Sequence, residues 1–110
     1  MDRRDIIVLQ KILKEIKVLE DSMKGFDMES FIASEDKKRA TSMTLINIGE
    51  LTTHLTDKFK TSTNEIPFKQ IKNLRNIAAH GYHSLNFDFI WNTVKAHVPN
   101  LKSKIEELLN

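Results

Sequence analysis

The chain has 110 residues, a formal net charge of +2, 40% hydrophobic and 29% charged residues, and no cysteine. That length suits one domain with a single core, small enough that burying further surface in a dimer adds useful stability. Without cysteine there is no disulfide framework, thiol nucleophile or thiolate metal site, which fits a reducing cytoplasm; the mild charge does not by itself announce a nucleic-acid binder, whose phosphate contacts normally show as a dense basic face.

The start, Met1-Asp2-Arg3-Arg4-Asp5, leads into a segment studded with Lys and Glu, so neither a signal peptide nor a membrane span is expected. Ile6, Leu9, Leu13, Ile16, Leu19 and Met23 then recur at steps of three and four, with Lys11, Lys14, Lys17 and Glu20 between them. This predicts an amphipathic helix from about Asp5 to Met23. Lys24-Gly25 stops it, and Asp27 can cap a short turn, helix or loop, that buries Phe31 and Ile32. Ser34 reads as the N-cap of a long helix, with Glu35 and Asp36 in its positive first turn and Ile48, Leu51, Leu55 and Phe59 along its apolar face. Thr61-Ser62-Thr63-Asn64 is its exit loop. Pro67 opens the next helix and Gly81 closes it, since Pro suits a first helical position and Gly the position past the last. Asn86 caps a helix bearing Phe87, Ile90, Trp91 and Val94, which Pro99 is expected to break before Leu101, Ile105, Leu108 and Leu109 repeat the period. No strand pattern competes. The expected fold is all-α: an antiparallel bundle of four main helices plus one short helix, over residues 1–110 as a single domain without linker or repeat.

The chemistry concentrates in Arg75-Asn76-Ile77-Ala78-Ala79-His80-Gly81-Tyr82. On an ideal helix Arg75 and Tyr82, seven apart, share a face, whereas His80 lies about 140° around from Arg75, so one rigid helix does not aim both at one small point. A second copy across a two-fold axis can complete such a site. His80 has two readings: an imidazole favoured at the negative end of the helix dipole, or a group that moves protons near neutral pH. Arg75 belongs either to a solvated basic face with Lys69 and Lys72 or to a phosphate-binding fork that stabilises added transition-state charge. Asn76 either orients a phosphate or serves its helix's surroundings. The single tyrosine, Tyr82, can simply pack at a helix end with its hydroxyl in water. His54 and His97 read as solvated or capping residues, and His80 with His83 offers only an i, i+3 pair interrupted by Gly81, a poor basis for a metal site.

Arg-x4-His-x-Tyr with a polar residue after the Arg resembles the signature of the HEPN superfamily, in the Tyr-bearing form of the HepT (DUF86) family. Phe31-Ile32, Ile48-Gly49-Glu50, Ile66-Pro67, Trp91 and Pro99-Asn100-Leu101 follow the same order of marks, so the resemblance spans nearly all of the chain. Phe68 departs from the family's usual Trp and affects local packing only. The resemblance implies a homodimeric, metal-independent endoribonuclease in which Arg75, His80 and Asn76 form the catalytic set and Glu50 pairs with a motif group, a solvated helix acid being the plainer reading of Glu50. Lys69 and Lys72, in a stripe with Arg75 at three-residue steps, are expected to contact RNA. The resemblance further implies a toxin inhibited when an MntA-like nucleotidyltransferase antitoxin transfers AMP to Tyr82. No cofactor is implied. The contrasting expectations are a substrate-binding or adaptor subunit of a nucleotidyltransferase, without meaningful nuclease activity, and a purely structural helical dimer.

Overall fold

The computed structural model describes all 110 residues, and every regular element is helical: α1 (Arg3–Met23), α2 (Met28–Ala33), α3 (Glu35–Thr52), α4 (Asp57–Ser62), α5 (Phe68–His80), a 3-10 turn (Tyr82–Ser84), α6 (Phe87–Asn92), a π-helical turn (Thr93–His97) and α7 (Val98–Leu109). The four main rods are α1, α3, α5 and the continuous run from α6 to α7. α1 packs against α3 and α7, α5 lies along α3, and α2 sits on α6. None of the helices is long and apolar enough to cross a membrane.

α1 supplies the centre of the core. Leu9, Ile12, Ile16 and Leu19 are almost completely buried and meet Phe31, Ile90 and Ile105 from other helices. Each such side chain stabilises the fold by about 1.5–3 kcal/mol through the apolar surface it removes from water. Asp2 caps α1 by accepting from the Arg4 amide at 2.7 Å. At the other end Gly25 takes φ +80°, a backbone that side-chain-bearing residues rarely adopt, and the chain turns away.

The segment from Asp27 is a true helix. Asp27 and Ser30 form a reciprocal capping box, and Phe31 is driven wholly into the core, with Trp91 at 5.5 Å and Phe87 at 6.3 Å between ring centroids.

The expected long third rod is instead two helices. Thr52 and Thr53 bond their hydroxyls back to the carbonyls of Gly49 (2.7 Å) and Glu50 (2.6 Å), satisfying the end of α3. Thr56 then caps α4, accepting from the Phe59 amide at 3.2 Å. What fixes the corner is Asp5, 2% exposed, whose carboxylate accepts from the Thr56 amide at 2.8 Å and the Thr56 hydroxyl at 2.7 Å. Beside it Arg4 donates from Nε to the His54 carbonyl at 2.9 Å. α4 is therefore a second short helix, where one was expected.

Pro99 does not break its rod. The turn before it widens so that the Val98 amide reaches the Thr93 carbonyl, five residues back. A wider turn makes room for the proline ring, and Pro99, in the first turn of α7, needs no amide partner there. Pro67, for its part, sits one position earlier than expected, as the residue before α5.

Candidate active site

α5 is the outlying rod: Ala78 is its only buried residue, and one flank rests on α3. Gly49 makes that approach possible. A Cβ at Gly49 would stand 2.6 Å from Arg75 Cγ and closer still to Arg75 Cβ, so the bare backbone of α3 is the floor on which the Arg75 stem lies. One residue on, Glu50 Oε1 receives Arg75 Nη1 at 3.1 Å. The Arg75 side chain is 21% exposed, and its buried Nε has no hydrogen-bond partner. Gly49-Glu50 thus supplies both the space for the Arg75 stem and the carboxylate that pairs with its guanidinium. Glu50, singled out in the sequence as a partner for a motif group, pairs with Arg75.

The rest of the motif spreads out from there. Asn76 is half-buried, Lys69 and Lys72 are exposed, and Arg75 turns away from them toward α3. His80 ends α5 with its imidazole exposed, on a different flank from Arg75 as the spacing required. Gly81, at φ −141°, terminates the helix, so Tyr82 belongs to a separate turn and the seven-residue relation to Arg75 does not hold. Arg75 pairs near the C-terminal end of α3 and Tyr82 docks on its first residue. Glu35 and Glu50 are fifteen positions, roughly 22 Å, apart along that helix. His80, two residues from Tyr82, is the motif group nearest it in sequence. His83 is exposed beyond the break, His54 is exposed at the α3–α4 corner, and His97 is exposed on the π-helical turn. No group of three or more His, Asp or Glu side chains converges as a metal site would require.

Tyr82 has an environment that sequence reasoning missed. Its hydroxyl donates to Glu35 Oε1 at 2.9 Å, while Arg39 Nε and Lys38 Nζ lie 2.9 Å and 3.3 Å from the Glu35 carboxylate. The Arg39 guanidinium stands over the phenol ring, 4.8 Å from its centroid. Burial, then the bond to Glu35 and its charge, push the Tyr82 phenol above its ordinary range, with Arg39 opposing. Glu35 is held below the ordinary carboxylate range, first by the Tyr82 hydroxyl and then by Lys38 and Arg39. Both shifts keep the negative charge on Glu35 and the proton on Tyr82. In the sequence Glu35 stands out only as a first-turn acid. The i, i+3, i+4 run Glu35-Lys38-Arg39 is visible there, but not the phenol that docks against it.

Between α5 and the α6–α7 rod, Pro67, Gln70, Ile71, Leu74, Phe89, Thr93 and His97 border a largely apolar groove. Phe89 in its wall is 58% exposed, and Ile77, elsewhere on α5, is 53% exposed.

The family model described as "Ribonuclease HepT-like" matches residues 12–108. A protein of Caldanaerobacter subterraneus subsp. tengcongensis, provisionally named an RNase, is 31% identical over 101 residues, covering 92% of this chain and 90% of the relative. One from Thermococcus cleftensis, provisionally named ribonuclease HepT, is 29% identical over 100 residues, covering 91% of each. A provisionally named RNase of Methanocaldococcus jannaschii is 29% identical over 107 residues, covering 96% of this chain and 98% of the relative. No solved structure matches significantly. With an all-helical bundle presenting Arg75 and His80 on a single rod, and a family match over nearly its whole length, the chain belongs to the HepT-like ribonuclease family of the HEPN superfamily.

Proposed function

We propose that this chain is a cytoplasmic, homodimeric endoribonuclease that cuts RNA without a metal ion, the toxin of a toxin–antitoxin pair, and that an MntA-like nucleotidyltransferase silences it by transferring AMP to Tyr82. The observation that carries this reading is the setting of Arg75: a stem that lies on Gly49 and a guanidinium paired with Glu50, on the helix that ends in an exposed His80. A group that only solubilised a surface would need no such seat.

In the reaction the 2′-hydroxyl of the RNA is the nucleophile. One imidazole takes its proton, a second gives a proton to the leaving 5′-oxygen, and the Arg75 fork stabilises the charge that builds on the pentavalent phosphorus. A single chain brings one His80. A second copy across a two-fold axis supplies the other, and the exposed apolar side chains of Ile77 and Phe89 are ones that such a copy would cover. In this reading Lys69 and Lys72, both exposed on the same helix, meet the RNA backbone.

AMP on Tyr82 acts from the His80 side. Tyr82 is two residues from His80, at most about 7 Å between Cα atoms, so the added adenosine and phosphate crowd the proton-transfer group and not the distant Arg75–Glu50 pair. The test is RNA cleavage in EDTA before and after incubation with the nucleotidyltransferase and ATP, with intact mass recorded on both samples. Cleavage by the unmodified chain and its loss as mass rises in AMP steps are expected. A chain that gains AMP but cuts no RNA in either state is an adaptor subunit.

The dimer has its own check. Ile77→Asp replaces an exposed apolar side chain of α5 by a charge and is expected to halve the solution mass, from about twice 12.8 kDa, and to abolish cleavage while the helical content persists. Full activity from a monomer overturns the shared site.

A further inference from the structure

The only phenol in the chain is gathered with one carboxylate and two cations at the first turn of α3. Phe87 closes the back of this cluster, its ring 5.6 Å from Tyr82 and 5.0 Å from Lys38 Nζ, and His83 stands edge-on to Tyr82 at 5.5 Å. Tethering Tyr82 would take a single hydrogen bond. Arg39 does more: it contacts Glu35 through Nε and at the same time covers the phenol face. The hydroxyl is thereby directed at a carboxylate that is itself flanked by positive charge.

The geometry points to Glu35 as the group that accepts the Tyr82 proton during nucleotidyl transfer, with Arg39 and Lys38 receiving the phosphate that arrives. This rests on the reading of Tyr82 as the AMP acceptor. Tyr82 Oη attacks the α-phosphorus of ATP held by the partner enzyme. The Oη–Pα bond forms, the bond from Pα to the bridging oxygen of the β-phosphate breaks, and pyrophosphate leaves with that electron pair. The phenolic proton passes to Glu35 Oε1, already its hydrogen-bond partner at 2.9 Å, and later to water. Because the phenol holds its proton tightly, the transfer accompanies bond formation to phosphorus and does not precede it.

The product reverses the local electrostatics. A phosphodiester anion now replaces the hydroxyl, and the re-ionised Glu35 repels it. Arg39 and Lys38, both within 3.3 Å of the Glu35 carboxylate, exchange that partner for the phosphate oxygens. The modified Tyr82 is then held by α3, two residues from His80.

The experiment follows AMP addition by intact mass, using the full chain, its nucleotidyltransferase and ATP, with partner affinity measured separately. Glu35→Gln keeps an oxygen that can accept the Tyr82 hydrogen bond but takes up no proton, so it separates proton transfer from positioning. It is expected to slow AMP addition about a hundredfold, the lower end of what a positioned acid or base contributes, at unchanged partner affinity. Glu35→Asp should recover part of the rate. Addition to Glu35→Gln at the wild-type rate, or a slowing fully accounted for by weaker partner binding, overturns the role of Glu35 and leaves Tyr82 the acceptor. No mass gain on the wild-type chain, or a gain that persists in Tyr82→Phe, overturns the acceptor reading and this inference with it.

Discussion

His80→Ala is expected to lower RNA cleavage by about a hundredfold to ten-thousandfold, the usual contribution of a positioned proton-transfer group. Its fold should be unaffected, because the side chain is exposed at the last position of α5 and substitutions at such sites usually change stability by less than about 0.5 kcal/mol. The check is initial cleavage rate in EDTA together with a urea midpoint, so that lost chemistry is not confused with lost structure. Mixing His80→Ala chains with wild type extends the test. If each active centre uses both histidines of a dimer, a mixed dimer carries one incomplete centre, and activity should fall toward the fraction of wild-type pairs as the variant is titrated in. Wild-type cleavage by the variant would overturn His80 as the proton-transfer group.

Gly49→Ala is expected to destabilise the chain by up to about 2 kcal/mol and to displace Arg75. Two effects oppose each other. Replacing Gly by Ala within a helix favours folding by about 1 kcal/mol, because the unfolded chain loses backbone freedom. Against that, the new methyl would stand 2.6 Å from Arg75 Cγ and closer to Arg75 Cβ, an overlap with the root of a side chain and not with its flexible end. Overpacking of this kind costs about 1–3 kcal/mol, and it is relieved only if α3 and α5 move apart. The steric term should win, because Phe68, Ile71 and Leu74 pack α5 against the core and resist its moving off α3. Denaturant unfolding measures the stability. The displacement shows as a loss of cleavage larger than the fraction unfolded explains. A more stable, fully active Gly49→Ala protein would show that the helix contact yields without consequence.

These two substitutions probe parts of the site that differ in how far they could be read from the chain. Spacing gave the position of His80 and the resemblance its role: Pro67 and Gly81 bracket α5, and the five residues from Arg75 to His80 put the two groups on different flanks, as the structure has them. Gly49 and Glu50 stood in the sequence as a mark of family resemblance, and only the packing of α3 on α5 gave them their tasks. The Tyr82 site was not legible. Its partner lies 47 positions away, and Tyr82 leaves the helix whose periodicity had been used to place it.

By itself the sequence determined what depends on neighbours within about four residues: the amphipathic rods, the caps at Asp27, Ser34 and Asn86, the end of α5 at Gly81, and hence an all-helical bundle. Helical hydrogen bonds and caps are closed within one turn, so the residue types that favour them reveal them. The tertiary structure decided the rest. Asp5 fixes the α3–α4 corner from 51 positions away, by hydrogen-bonding a threonine that local pattern would have left inside one long helix. The rod through Pro99 stays continuous because it widens by one residue per turn where the ring would clash, a choice made by Val94, Val98 and Ile105 all needing the same core. Arg75 on Glu50 and Tyr82 on Glu35 are likewise settled by which helices lie side by side, since burying apolar surface chooses the neighbours and the polar groups then pair with whatever those neighbours present.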